Sequence, residues 1–207
     1  MNRIKISLLT GFILLAVSML SLSFTGITTA VAGNDDPVQN QLDANADNSY
    51  SPDEVLSAGH EFFGTTSREL AQAIEHLFSK YGRPNGYVLG EEGSGAFVAG
   101  LRYGEGTLYT RNQGNHKVYW QGPSLGWDFG GDGGRTMILV YNMFSSDDIY
   151  NYYVGVNGSA YLVGGVGLTV LSHENVLAAP IKTGLGLRLG ASIGYLKFTR
   201  RPTWNPF

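Results

Sequence analysis

Twenty-four of the chain's 29 glycines fall between Gly82 and Gly194, set among aromatic and β-branched residues. A helix does not tolerate that density, because each interior glycine costs about 1 kcal/mol relative to alanine. Runs of alternating character in the same region point to strands instead. The sharpest is Gly184-Leu185-Gly186-Leu187-Arg188-Leu189-Gly190, with leucine on one face and an almost bare opposite face. Such a strand suits a tightly curved sheet whose glycine side, at Gly186 above all, admits a close neighbour. It is not a dinucleotide loop, because that motif opens a helix and this run continues as strand.

Strand patterns recur at 87–90, 96–103, 106–111, 117–121, 125–129, 136–141, 159–171, 176–181, 184–189 and 192–198. Between them, Ser145-Ser146-Asp147-Asp148 is an N-cap signal for a short helix through Ile149, Tyr152 and Tyr153. Two helices precede the strands. The first spans 52–63, with Pro52 near its start and Gly64 after its end. The second opens on the capping box Thr66-Ser67-Arg68-Glu69 and carries the stripe Leu70, Ala73, Ile74, Leu77 and Phe78 before Tyr81-Gly82 stops it. His76 sits beside that stripe as a structural or exposed histidine, with no second ligand at metal spacing. The prediction is a mainly β chain with α: a small antiparallel β-barrel or strongly curved sheet, with N-terminal helices packed on it or plugging it. A membrane-spanning barrel fits poorly, because Pro202 and Pro206 interrupt the alternating final strand that such a barrel needs before Phe207.

Arg3 and Lys5, an apolar run over 6–24, and Ala30-Val31-Ala32 follow one another in the order of a secretory signal, with cleavage expected after Ala32. The alternative, a retained anchor, is weakened by Ser18, Ser21 and Ser23 at the end of the run. The division expected is a signal peptide over 1–32, a flexible acidic leader over 33–51, and one helix-plus-barrel domain over 52–207. The whole chain has 14 basic and 17 acidic residues, and losing Arg3 and Lys5 takes the formal charge from −3 to −5. That balance attracts no nucleic acid. The chain has no cysteine, so an exported form relies on packing and backbone pairing and cannot carry a lipid on a terminal cysteine.

Gly122-Pro123-Ser124-Leu125-Gly126 fits the G-x-S-x-G pattern of a nucleophile elbow. An elbow needs a helix after the serine, and the residues that follow, Trp127-Asp128-Phe129-Gly130-Gly131-Asp132-Gly133-Gly134, start none. Ser124, Asp147 or Asp148, and His173 make a triad on paper only. Glu91-Glu92 is a possible acid and base pair, but neighbours on a strand face opposite ways and the flanking glycines point to a turn. From Asp43 to Glu54, oxygen side chains stand at positions one, three, five, nine and twelve of a calcium loop. Asn48 occupies the place of the usual glycine, and the plain-linker reading is preferred. With no Cys nucleophile, H-E-x-x-H or Walker loop, no catalytic, cofactor-binding or metal-ligating set is expected, and no enzyme activity.

Residues 122–142, 158–167 and 179–198 resemble an alphaproteobacterial family of unknown-function domains typified by envelope integrity protein A, over about residues 61–207. The resemblance implies a periplasmic β-barrel with a helical segment, needed for envelope integrity through an envelope protein or lipid partner. A weaker similarity, to SYLF lipid-binding domains, rests on Gly122, Ser124, Gly126, Gly130, 138–140 and Asn142. It implies the alternative of a lipid carrier or sensor, whose cavity Trp120, Trp127, Tyr141, Tyr152 and Tyr153 are candidates to line.

Overall fold

The computed structural model describes residues 48–64, 67–94, 101–123, 134–163, 166–182, 194–203 and 205. Ser51 caps helix α1 (Pro52–Phe63). Its hydroxyl accepts from the Glu54 N–H, and the Glu54 carboxylate accepts from the Ser51 N–H at 2.7 Å. This reciprocal pair satisfies donors that a helix start leaves open. Gly64 ends the helix at φ 73°, a left-handed conformation that glycine enters without a Cβ clash. Helix α2 (Arg68–Tyr81) takes Ser67 as its cap, one residue later than the predicted box, with the Ser67 hydroxyl accepting from the Leu70 N–H at 3.1 Å.

The strands are β1 (Gly86–Ser94), β2 (Leu101–Thr110), β3 (Gly114–Pro123), β4 (Gly134–Tyr141), β5 (Tyr152–Val163), β6 (Val166–His173), β7 (Val176–Lys182) and β8 (Tyr195–Thr199). They close into an antiparallel barrel in the order β1-β2-β3-β8-β5-β6-β7-β4, so closure leaves no free sheet edge. All eight contribute to one buried cluster, among them Val88, Leu108, Trp120, Ile138, Tyr153, Leu171, Ala178 and Phe198. That cluster is the barrel interior. A second cluster joins Val55, Leu70, Ala73, Ile74 and Leu77 of the helices to Met137, Leu139, Tyr141, Leu168, Val170, Ala179 and Ile181.

The two clusters share strand β4 by parity: Ile138 and Val140 face inward, while Met137, Leu139 and Tyr141 face the helices. A strand covered on both faces reads as a continuous apolar run, which accounts for Met137-Ile138-Leu139-Val140-Tyr141. The helices therefore lie on the outer wall and do not plug the barrel, whose interior is filled by Trp120, Tyr153 and Phe198. One end is closed by the segment after β4, where Met143 and Ile149 join the interior cluster. Asn85 holds that segment, its amide donating to the Met143 carbonyl at 2.6 Å and its oxygen accepting from the Met143 N–H at 3.2 Å.

Several element boundaries differ from the sequence-based expectation. Of the strands expected at 96–103 and 106–111, residues 101–103 and 106–110 belong to one strand, β2, in which Gly104 and Glu105 are ladder residues and not a break, while 96–100 lie outside the described residues. The single strand expected at 159–171 is parts of two, β5 and β6. The helix signalled at Ser145 is a 3-10 turn, Ser146–Ile149, and Tyr152 and Tyr153 already belong to β5. Glu91 and Glu92 lie within β1, where a turn was expected, with Glu91 exposed and Glu92 buried. The signal segment, most of the leader, the 125–129 strand and the Gly184 to Gly190 run, with its Gly186, lie outside the described residues.

Candidate functional site

Glu92 follows Val88 and Gly90 along the inner face of β1, and it is a carboxylate inside an apolar barrel. Glu92 is 8% exposed and Arg102 5%. The carboxylate accepts from the Trp120 indole N–H at 2.8 Å and from the Lys182 ammonium, and Arg102 Nη1 stands 3.7 Å away. These four residues come from β1, β2, β3 and β7.

Register explains how they meet. Glu92 pairs with Gly104 on β2, and Gly104 pairs with Trp120 on β3. With no side chain at position 104, the indole crosses β2 to reach the carboxylate. Lys182 pairs with Thr136, and Thr136 pairs with Gly90, so lysine enters the same end of the interior from the other side. Lys182 is also the member that reaches solvent, its side chain 36% exposed against 6% for Arg102.

Burial pushes the Glu92 carboxyl up, but Arg102, Lys182 and the indole together outweigh it and hold it below the usual carboxylate range. For Arg102, burial lowers the guanidinium pKa and Glu92 only partly offsets this. Among the described residues the cluster holds two cations and one carboxylate. Arg102 Nε and Nη2, and Thr136 Oγ1, are buried and have no hydrogen-bond partner among the described residues. Leaving such groups unpaired costs about 1–3 kcal/mol each, and more when the group is charged.

The residues singled out in the sequence do not converge on this cluster or on one another. Gly122 is the last residue but one of β3, and a methyl group there would meet the Tyr195 carbonyl oxygen at under 3.0 Å. Its bare backbone thus lets β8 approach β3, a packing reason for the first glycine of the G-x-S-x-G pattern. Ser124 and Gly126 lie outside the described residues. His173 sits at the β6–β7 turn, the end of the barrel opposite Pro123, with Nδ1 3.1 Å from the Tyr152 carbonyl. Asp148 caps the 3-10 turn through the Phe144 and Ser145 N–H groups at 2.8 Å, and Asp147 pairs with Arg200 at 2.6 Å. Glu54, twelfth in the calcium-loop reading, is engaged by Ser51 and by Arg111 at 2.5 Å. Asp43 and Asp47 lie outside the described residues.

Of the aromatic candidates, Trp120 and Tyr153 are interior, Tyr141 is under the helices and Tyr152 is on the outer surface, 38% exposed. Trp127 lies outside the described residues. His76 lies on α2 at half burial. A groove of about 350 Å³ runs over β1–β3 and the C-terminal segment, its lining including Tyr103, Tyr119, Trp120 and Pro202 together with the carboxylates Glu91, Glu92 and Glu105. Sequence reasoning missed the Glu92 cluster; the one available signal was a charged residue at inward parity in β1, and glycines on both sides disguised that strand.

The fold defines a class: a small, closed, eight-stranded antiparallel barrel with two helices on its outer wall. Within that class the chain belongs to the Envelope integrity protein A family, whose model matches residues 48–207. It is similar to a β-barrel-like, uncharacterized protein of Brucella abortus known from a crystal structure, at 60% identity and a TM-score of 0.73, covering 77% of this chain and 99% of that one. No curated protein matches the chain.

Proposed function

We propose that this is a periplasmic, non-catalytic protein that supports the integrity of the cell envelope by binding a partner there. Family membership across 48–207 is the observation that carries the reading. Export is supported by the charged, apolar and small-residue order of 1–32. The non-catalytic part is supported by the separation of His173 from the β3 end that leads into Ser124. Deleting the gene is expected to sensitise cells to detergents and wall-directed antibiotics. The full chain restores resistance, and a version without residues 1–32 does not. Resistance unchanged by deletion under all such stresses overturns the envelope role.

A second reading, a lipid carrier or sensor, is favoured by the groove at Tyr103, Trp120 and Pro202, whose apolar and aromatic lining is of the kind that holds small amphiphiles. Native mass spectrometry of protein taken from its own periplasm tests it, and a spectrum free of co-purified lipid removes it.

A further inference from the structure

Arg102 is an arginine inside a barrel with three of its five N–H donors without a partner among the described residues. Its Nη1 faces Glu92, and the unpartnered atoms are Nε and Nη2, which form the side edge of the guanidinium plane. That edge is the fork that receives two oxygens of a carboxylate or phosphate in parallel hydrogen bonds. Glu92 cannot fill it. It meets the other corner of the guanidinium, its Oε1 facing Nη1 and Lys182 while its Oε2 accepts from Trp120. Among the described residues the cluster thus sets two cations against one carboxylate, and Thr136 adds a buried hydroxyl without a partner among them on the strand next to Lys182.

We propose that this end of the barrel interior is a binding site for one small oxyanion, the terminal carboxylate or phosphate group of a ligand, held by the Arg102 fork. Lys182, about a third exposed, marks the way in and supplies the second positive charge. Glu92 and Trp120 hold the cations in place and do not touch the ligand. The site is independent of the periplasmic and non-catalytic readings above, since its argument uses only charge balance and donor geometry within the described strands.

The test uses the purified full-length domain in a buffer free of oxyanions. Titrations with inorganic phosphate and with acetate are followed by calorimetry, and flotation with phosphatidylglycerol and phosphatidylcholine vesicles is run in parallel. Arg102→Lys keeps the charge and loses the fork, Lys182→Met removes the entry charge, and Arg200→Gln is a surface control. Binding to phosphate, acetate or anionic vesicles that weakens tenfold or more in Arg102→Lys and Lys182→Met, and less than twofold in Arg200→Gln, is the expected result. Saturable free-anion binding assigns a soluble ligand; vesicle binding alone assigns a lipid headgroup. Arg102→Met is expected to melt no lower than the unsubstituted protein in the anion-free buffer, because it removes unpaired donors and leaves Glu92 balanced by Lys182. Absence of binding to every probe overturns the site, as does binding insensitive to both cluster substitutions. So does an Arg102→Met protein that melts far lower yet binds normally, which makes Arg102 a structural ion-pair partner.

Discussion

The Trp120 indole donates to Glu92 Oε2 at 2.8 Å from two strands away, over the bare backbone of Gly104. A methyl group at position 104 would lie under 3.0 Å from the indole atoms Cε2, Cζ2 and Nε1. Fully packed interiors answer such intrusion by displacing a side chain or a strand.

Gly104→Ala is accordingly expected to destabilise the fold by about 1–3 kcal/mol, the usual range for overpacking. For a domain of this size that lowers the thermal midpoint by roughly 2–12 °C. Combining it with Trp120→Leu should recover part of the loss, since the two positions share one space. Additive losses in circular-dichroism melts of the double variant would contradict the contact.

The Glu92 carboxyl is held below its usual range when folded, with burial opposing and Arg102, Lys182 and Trp120 prevailing. Its contribution to stability is thus complete above the unfolded value of about 4.3 and is lost as pH falls through the lower folded value. Glu54, brought to about 2 by the Ser51 N–H and by Arg111, acts in the same direction over the same acid window. Glu54 is largely exposed, so solvent screening makes its share small. Melting midpoints taken from pH 6 down to 3 should fall steeply in the unsubstituted protein and more shallowly in Glu92→Gln. Parallel curves would show that Glu92 does not govern the acid limb.

Two buried tyrosines predict opposite effects of the same substitution. Tyr153 donates to the Asp148 carbonyl at 2.8 Å, whereas the Tyr141 hydroxyl is buried with no partner among the described residues. Tyr153→Phe should lose about 0.5–1.5 kcal/mol, and Tyr141→Phe should be neutral or stabilising by about 1 kcal/mol. Burial pushes both phenols well above their ordinary value, with Tyr81 adding to the effect at Tyr141 and Asp148 at Tyr153. Because each stays neutral when folded, stability is full below pH 10 and declines above it. Denaturant titrations at pH 7 and at pH 10.5 check both statements.

Gly122→Ala and Ser124→Ala separate packing from chemistry within one motif. A methyl at 122 meets the Tyr195 carbonyl oxygen of β8, so that variant should lose about 1–3 kcal/mol by prising β8 from β3. Ser124→Ala is expected to fold normally and to restore detergent resistance to a deletion strain. A well-folded Ser124→Ala protein that fails to complement would return Ser124 to the role of a nucleophile.

Local chemistry determined a large part of this protein from the sequence alone. Pro52 with Gly64, and the Leu70, Ala73, Ile74 and Leu77 stripe, mark both helices, because caps and a 3.6-residue period are short-range signals. Glycine density with period-two runs marked a small curved β structure for the same reason. Where local signals conflicted, the reading slipped: the break expected at Gly104-Glu105 is continuous ladder, and tertiary neighbours explain the glycines there, the Trp120 indole lying against Gly104 and the Leu89-Gly90 backbone of β1 against Gly106. Tertiary structure alone decided that the helices cover β4 from outside, since an apolar stripe does not say which face of a sheet it will meet. It alone assembled Glu92, Arg102, Trp120 and Lys182. These residues lie on four strands and up to 90 positions apart, and their meeting depends on barrel register, a property of strand pairing that no single stretch of sequence contains.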